Sequence, residues 1–104
     1  MNMYLVQILL PLYDNQKEPF PEEYYTVLST SLISKFGGLT AYSNSPATGL
    51  WKEHPQKTVK DKIITYEVMT ESIEPDWWKT FREHLEQKFQ QESIIIRATQ
   101  IELF

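Results

Sequence analysis

The chain has 104 residues, of which 41% are hydrophobic and 23% charged, and its formal net charge at pH 7 is -4. This length and composition are ordinary for one globular domain and exclude a fibrous or disordered chain. Cysteine is absent, which excludes disulfides, thiolate nucleophiles and cysteine-ligated metals. The acidic balance argues against a nucleic-acid partner, because acidic residues lie between the lysines of the basic cluster at 52–62.

The first predicted element is a strand from Tyr4 to Leu10, a run rich in long and β-branched apolar residues that ends at Pro11. The apolar N-terminus lacks a basic segment and a cleavage site for export. Gln7 and Pro11 interrupt it well short of the length that spans a membrane. We therefore expect no membrane partner and a cytoplasmic location.

A helix is predicted to begin at Pro21, because proline and the acidic pair Glu22–Glu23 suit a first helical turn. Apolar residues then recur at spacings of three and four, which indicates one buried helix face: Tyr25, Leu28, Leu32 and Phe36. Gly37 and Gly38 are predicted to end this helix with a left-handed cap. Since they follow a helix and precede a strand, a phosphate-binding role is disfavoured.

The next segments are predicted as a short strand from Leu39 to Ser45, a loop from Pro46 to Thr58 and a long strand from Val59 to Thr70. A second helix is predicted to begin at the proline-led acidic stretch Glu74–Asp76. A last strand is predicted from Ser93 to Leu103. The second helix repeats the apolar spacing of the first, with Trp78, Phe81, Leu85 and Phe89.

The element order β-α-β-β-α-β predicts a single α+β domain over residues 1–104, of the ferredoxin-like class. That class has a four-stranded antiparallel sheet, ordered 4-1-3-2, with both helices on one face. The other face must then be polar, covered by a tail or buried in a partner.

Strand alternation predicts which side chains occupy the uncovered side of the sheet, which we call the open face. About half of them are apolar, a mixture typical of a subunit interface or a lined pocket. The predicted members are Leu5, Gln7, Leu9, Thr40, Tyr42, Ile63, Thr65, Glu67, Met69, Ile95, Arg97 and Thr99.

Four candidate site residues of this face fall on successive strands: Arg97, Gln7, Glu67 and Tyr42. They are predicted to form one row of hydrogen-bonding groups. An unpaired buried charge is costly, so Arg97 and Glu67 should bond each other, their neighbours or a ligand. Three interpretations stay open: a satisfied row inside a dimer interface, a ligand-orienting site and a catalytic site. Trp51 is a further candidate, expected to cap the end of the sheet or a pocket beside it.

No motif identifies a catalytic residue, a metal site or a cofactor. The two histidines, His54 and His84, lack the spacing of metal ligands. The serines lack a nucleophile elbow, and acidic residues at the helix starts are explained by the helix dipole. We therefore expect no metal and no cofactor, and enzymatic activity stays open.

Residues 21–52 read PEEYYTVLSTSLISKFGGLTAYSNSPATGLWK, and they are followed by the strand KIITYEVM and a helix opening in PDWW. This combination covers nearly the whole chain and resembles an uncharacterised family of short bacterial proteins, which implies no particular activity. More distantly, the architecture is similar to the dimeric α/β-barrel group, which includes cofactor-free monooxygenases, heme-modifying enzymes and stress-response proteins. The pocket residues of that group do not map onto this sequence.

These observations favour a homodimeric domain that binds a small molecule or a partner through its open face. The alternative is a cofactor-independent oxygenase- or isomerase-like enzyme. In that enzyme Arg97 anchors an anionic or carbonyl group, and Glu67 or Tyr42 moves a proton. A third possibility is an adaptor that extends another protein's sheet with its edge strand.

Overall fold

The computed structural model describes residues 2–104, except for the side chains of Asn44 and Ser45, whose predicted alternation lies outside the described part. All of its strand pairs are antiparallel, in the order β2-β3-β1-β4, so the predicted strand order and the α+β class are confirmed. The elements are β1 Asn2–Pro11, α1 Glu22–Phe36, β2 Thr40–His54, β3 Lys57–Thr70, α2 Pro75–Lys88 and β4 Ile96–Glu102.

Both helices pack on the same face of the sheet and enclose one hydrophobic core. Strand residues of even number reach this core from the sheet, and the predicted apolar faces reach it from the helices. Each fully buried leucine, isoleucine or phenylalanine stabilises the fold by about 1.5–3 kcal/mol. The buried members are Val6, Ile8, Leu10, Leu28, Leu32, Ile64, Tyr66, Val68, Trp78, Leu85, Phe89 and Ile94.

Aromatic contacts at both ends hold the two helices together in antiparallel orientation. At the start of α1, the Tyr24 ring lies perpendicular to the buried Phe89 ring at the end of α2, with centroids 5.5 Å apart. At the opposite ends, Phe36 stacks on Trp78 with centroids 5.3 Å apart. Since aromatic pairs add to burial, these two contacts fix the helix pair against one side of the sheet.

The left-handed cap of α1 is confirmed at one of its two predicted glycines. Gly37 has a φ of 81°, and its N–H donates to the Ile33 carbonyl at 2.8 Å. Gly38 is not in the left-handed region, so the two-residue cap is wrong for that position. One left-handed residue is enough to end the helix and turn the chain into β2.

The loop predicted from Pro46 to Thr58 is wrong, because this segment forms most of a long β-hairpin. β2 first pairs with β3 over Thr40–Tyr42, and after a register shift it pairs again over Ala47–His54. When the two paired parts of β2 are counted separately, the sheet has five strand segments rather than the four predicted. The hairpin is held by cross-strand pairs rather than by burial, so its sequence lacks the hydrophobic alternation of a buried strand. We call residues 46–62 the arm.

The other strand bounds differ modestly from the predictions. β1 begins two residues before Tyr4 and includes Pro11. β4 begins at Ile96 rather than at Ser93, because the preceding residues approach β1 outside the regular strand, where Leu9 N–H donates to the Ile95 carbonyl at 3.0 Å.

Replacing Gly37 by alanine is expected to lower the free energy of unfolding by about 1 kcal/mol, because a Cβ atom is disfavoured at positive φ. Gly38→Ala is the matched control, since its backbone is ordinary and an added Cβ would meet nothing within 4 Å. Urea denaturation of the two variants measures the difference. Equal stability of both would contradict the assignment of the cap.

Candidate functional site

The strand register places the predicted site residues side by side on the open face. In β1, Gln7 lies opposite Arg97 of β4 on one side and opposite Glu67 of β3 on the other. Tyr42 lies one pair further along, opposite Thr65. Directly opposed residues share a sheet face, so Tyr42 approaches Glu67 diagonally.

These four side chains form one hydrogen-bonded chain, which we call the polar row. Arg97 Nε donates to Gln7 Oε1 at 2.9 Å, and Gln7 Nε2 donates to Glu67 Oε1 at 2.8 Å. The Tyr42 hydroxyl donates to Glu67 Oε2 at 3.3 Å. The Gln7 amide is used on both its acceptor and donor sides, which fixes its orientation.

The polar row connects two opposite charges without pairing them. Gln7 separates Arg97 from Glu67 by two strand spacings, about 10 Å between their backbones. Within the described part of the chain, neither residue forms an ion pair; the pairs present there are Lys35–Glu74, Lys57–Glu53 and Arg82–Glu86. Both charges can therefore meet a group from outside the chain.

Apolar side chains flank the polar row on both sides. On one side Leu5 lies opposite Met69, which is 47% exposed, and on the other Leu9 lies next to Ile95. Hydrophobic residues left exposed beside a few ordered polar groups are typical of a surface that meets a ligand or another protein.

Trp51 does not join the polar row within the single chain. It lies on the arm opposite Val59 and remains 41% exposed. Its indole packs over Gly49, where an added Cβ would lie 3.2 Å from indole Nε1 and 2.5 Å from Ile63 Cδ1. Because the predicted loop is a strand, Trp51 points to a fixed side of the hairpin.

The arm continues the open face beyond the helices. Ala47 lies opposite Ile63 and Trp51 lies opposite Val59, so alternation along β3 places all four on the same side as Glu67. Val59 and Glu67 are eight residues apart along β3, which is about 26 Å. The open face is thus longer than the part of the sheet that the helices cover.

A second feature, on the helix side, was not predicted from the sequence. A groove of about 430 Å³ runs between α1 and the sheet, with Leu12 and Ile64 among its apolar lining residues. Its hydroxyl groups come from three elements with no common spacing, which is why a linear motif could not reveal them. They belong to Tyr25, Thr26, Ser29, Thr30, Ser43 and Tyr66.

Three of these hydroxyls take part in two hydrogen bonds that tie α1 to the sheet, so they are not available to a ligand. The Tyr25 hydroxyl donates to the Pro11 carbonyl at 2.6 Å, and Ser29 Oγ donates to the Tyr66 hydroxyl at 3.3 Å. Burial, with a smaller contribution from Tyr66, raises the pKa of Tyr25 to about 12. The hydroxyl of Tyr25 therefore serves to hold α1 on the sheet. For this reason the polar row is a stronger candidate for a ligand site than the groove.

Changing Tyr25 to phenylalanine is expected to lower the free energy of unfolding by about 1 kcal/mol, because the hydrogen bond to Pro11 is lost. The folded-state pKa of Tyr25 exceeds the ordinary value of 10.0, so unfolding releases a proton between about pH 10 and 12. Stability should therefore fall as pH rises through that window, without a contribution from Tyr25 below it.

Denaturation at pH 8 and pH 11 measures this effect. Tyr25→Phe should lose less stability between the two pH values than the unaltered protein does. Tyr13→Phe, at a tyrosine that is 47% exposed, is the control and should keep the original pH dependence. An unchanged pH dependence in Tyr25→Phe would contradict the raised pKa.

Within residues 2–104, no group of three or more histidine, aspartate or glutamate side chains is placed to hold a metal ion. In the same range, no helix is long and apolar enough to cross a membrane.

No protein-family model matches the sequence, and no curated protein matches it either. Among solved structures, the chain is similar to a phage SAM lyase in complex with S-methyl-5'-thioadenosine, with a TM-score of 0.65. The two sequences are 14% identical, and the match covers 93% of this chain and 80% of that chain. At this identity the likeness establishes a shared α+β fold and nothing about the site.

Proposed function

We propose that this protein is a cytoplasmic, homo-oligomeric domain of the ferredoxin-like class that binds a small molecule over its polar row, with a homodimer as the simplest assembly. Membership of the short bacterial family that its sequence resembles is part of the same proposal. The observation that carries it is the polar row itself: two unpaired, opposite charges held by one amide within a half-apolar face.

Self-association is favoured by the one-sided packing of the sheet. Leu5, Leu9 and Ile95 are only partly buried by the chain itself, and Met69 is exposed. A second copy packed on the open face would remove these side chains from water, at about 25 cal/mol per Å² of apolar surface. The polar row would then lie in a site with restricted access to water, where its charges act more strongly.

The charge order along the polar row favours a dipolar ligand. A guanidinium such as Arg97 binds a carboxylate through paired hydrogen bonds. At the other end, the Glu67 carboxylate and the Tyr42 ring both attract an organic cation. S-adenosylmethionine has this character, since it carries a carboxylate and a sulfonium, and the fold neighbour is a SAM lyase. It is therefore the first ligand to test.

S-adenosylmethionine is expected to bind at least tenfold more tightly than S-methyl-5'-thioadenosine, a difference of about 1.4 kcal/mol. The second molecule lacks the amino-acid chain, with its carboxylate and α-ammonium, and also the sulfonium charge, so it is a neutral probe that keeps the adenosine and the sulfur. Arg97→Met and Glu67→Gln should each weaken binding of S-adenosylmethionine at least tenfold and leave the neutral probe little changed. Isothermal titration calorimetry measures all of these affinities.

Glu83→Gln is the control variant for this titration, because it removes the same charge from the exposed side of α2. It should bind S-adenosylmethionine as the unaltered protein does. Equal affinity for the two probes, or equal effects of Glu67→Gln and Glu83→Gln, would contradict a dipolar site at the polar row.

A second candidate function is catalysis at the same row, which the likeness to a SAM lyase favours. Such a reaction breaks the bond between the sulfonium sulfur and the γ-carbon of the amino-acid chain, and the electron pair goes to sulfur. Glu67 would accept a proton from the adjacent carbon as the alkene forms. The oxygenase- or isomerase-like alternative uses the same groups, with Arg97 holding the anion and Glu67 or Tyr42 moving the proton.

Chromatography of the calorimetry samples separates binding from catalysis. Release of S-methyl-5'-thioadenosine that Glu67→Gln abolishes would support the lyase. Tight binding without this product would remove the lyase and keep the binding function.

A further inference from the structure

We infer that the arm of one copy lies across the open face of another copy and contributes Trp51 to the site over that copy's polar row. This inference rests on the proposed self-association through the open face. It adds that the site is incomplete in a single chain, because one copy supplies the charges and the next supplies an aromatic surface.

The first support is the shape of the arm. The chain measures 45 Å along its longest axis and 31 and 28 Å along the others, and the hairpin extends beyond the helices. Two-stranded hairpins are marginally stable in water when nothing packs against them. The arm carries Trp51, which is 41% exposed on the side of the open face. A surface that covers this side chain would stabilise the extended form of the arm.

The second support is the continuity between the arm and the open face. Trp51 and Val59 point to the same side as the polar row, and Gly49 leaves room for the indole to lie along the strand. A surface that packs against the open face of the body therefore also meets the side of the arm that carries Trp51, Val59 and Asp61. One continuous surface of the other copy can therefore contact both the body and the arm.

The third support is charge complementarity between the arm and the remainder of the chain. The arm has four lysines and two acidic residues, a net charge of +2, whereas the remainder has six basic and twelve acidic residues, a net charge of -6. Lys52, Lys60 and Lys62 lie on the side of the arm that faces away from the open face, whereas Asp61 lies on the same side as Trp51. Their charge therefore attracts the arm to another copy's body from a distance rather than through pairs inside the contact.

The spacing along β3 would bring Trp51 to the polar row in a contact centred near Ile63. Ile63 lies half way between Val59 and Glu67, four residues from each. When the arm of one copy runs antiparallel over the body of another and the contact centres near Ile63, the Trp51–Val59 pair reaches Glu67 and Thr40. The indole can then stack on the planar part of a ligand whose charges contact Arg97 and Glu67.

Disulfide crosslinking tests this placement directly, because the unaltered chain has no cysteine. Val59→Cys places a thiol on the arm. Thr40→Cys places a thiol beside the polar row, because Thr40 lies opposite Glu67. When equal amounts of the two variants are mixed and mildly oxidised, a disulfide-linked heterodimer is expected. Val27→Cys replaces Thr40→Cys in the control mixture, since Val27 is 51% exposed on α1, and should give at least fivefold less product.

Light scattering of the unaltered protein separates the two proposals. A monomer at micromolar concentration would overturn the self-association and the arm contact together. An oligomer whose variants give no more arm-to-row crosslink than the control would overturn the arm contact alone.

The contribution of Trp51 to the site is measured with S-adenosylmethionine as the probe. Trp51→Ala should weaken its binding at least tenfold, and Trp51→Phe, which keeps an aromatic face, should weaken it less. Trp51 lies outside the buried core, so both variants are expected to fold. Unchanged affinity in Trp51→Ala would overturn the role of Trp51 even if the crosslink forms.

Discussion

Both helices pack on one face of the sheet, and this one-sided packing determines what the other face must do. The core takes the even-numbered strand residues, such as Ile8 and Tyr66, together with the apolar faces of α1 and α2. The odd-numbered residues of β1 and β3, with Thr40 and Tyr42 of β2, remain on a surface with no helix above it. A half-apolar surface of this kind is stable in water when it is small or when something covers it. The proposed assembly and ligand site both follow from this requirement.

Within that surface, Gln7 keeps the two charges of the polar row apart and in place. Its amide accepts from Arg97 and donates to Glu67, so both charged groups are oriented while neither is neutralised. A direct ion pair between Arg97 and Glu67 would have neutralised both charges within the single chain. Oriented, unpaired charges beside apolar side chains are suited to recognition, since the geometry exists before the ligand arrives.

The sequence predicted the helices, the strand order and the neighbours of Gln7, because periods of 3.6 and 2 are strong where one side of an element is buried. The arm was missed because its strands are exposed on both sides and Pro46 and Gly49 resemble a loop. Tyr42 belongs to the predicted row, but Thr40 lies directly opposite Glu67, because the pairing register of β2 with β3 has no sequence signal. The groove beside α1 depends on tertiary contacts of Tyr25 and could not be derived from spacing.

The central claim, that the open face is covered by another copy, can be tested with two tyrosines of nearly equal exposure in the single chain. Tyr42 on the open face is 46% exposed, and Tyr13, outside the paired strands of the sheet, is 47% exposed. Hydroxyl-radical footprinting at micromolar concentration, read by mass spectrometry, compares their rates of modification. Modification of Tyr42 several-fold slower than that of Tyr13, with the difference shrinking on dilution, is the predicted result. Equal rates at all concentrations would contradict it.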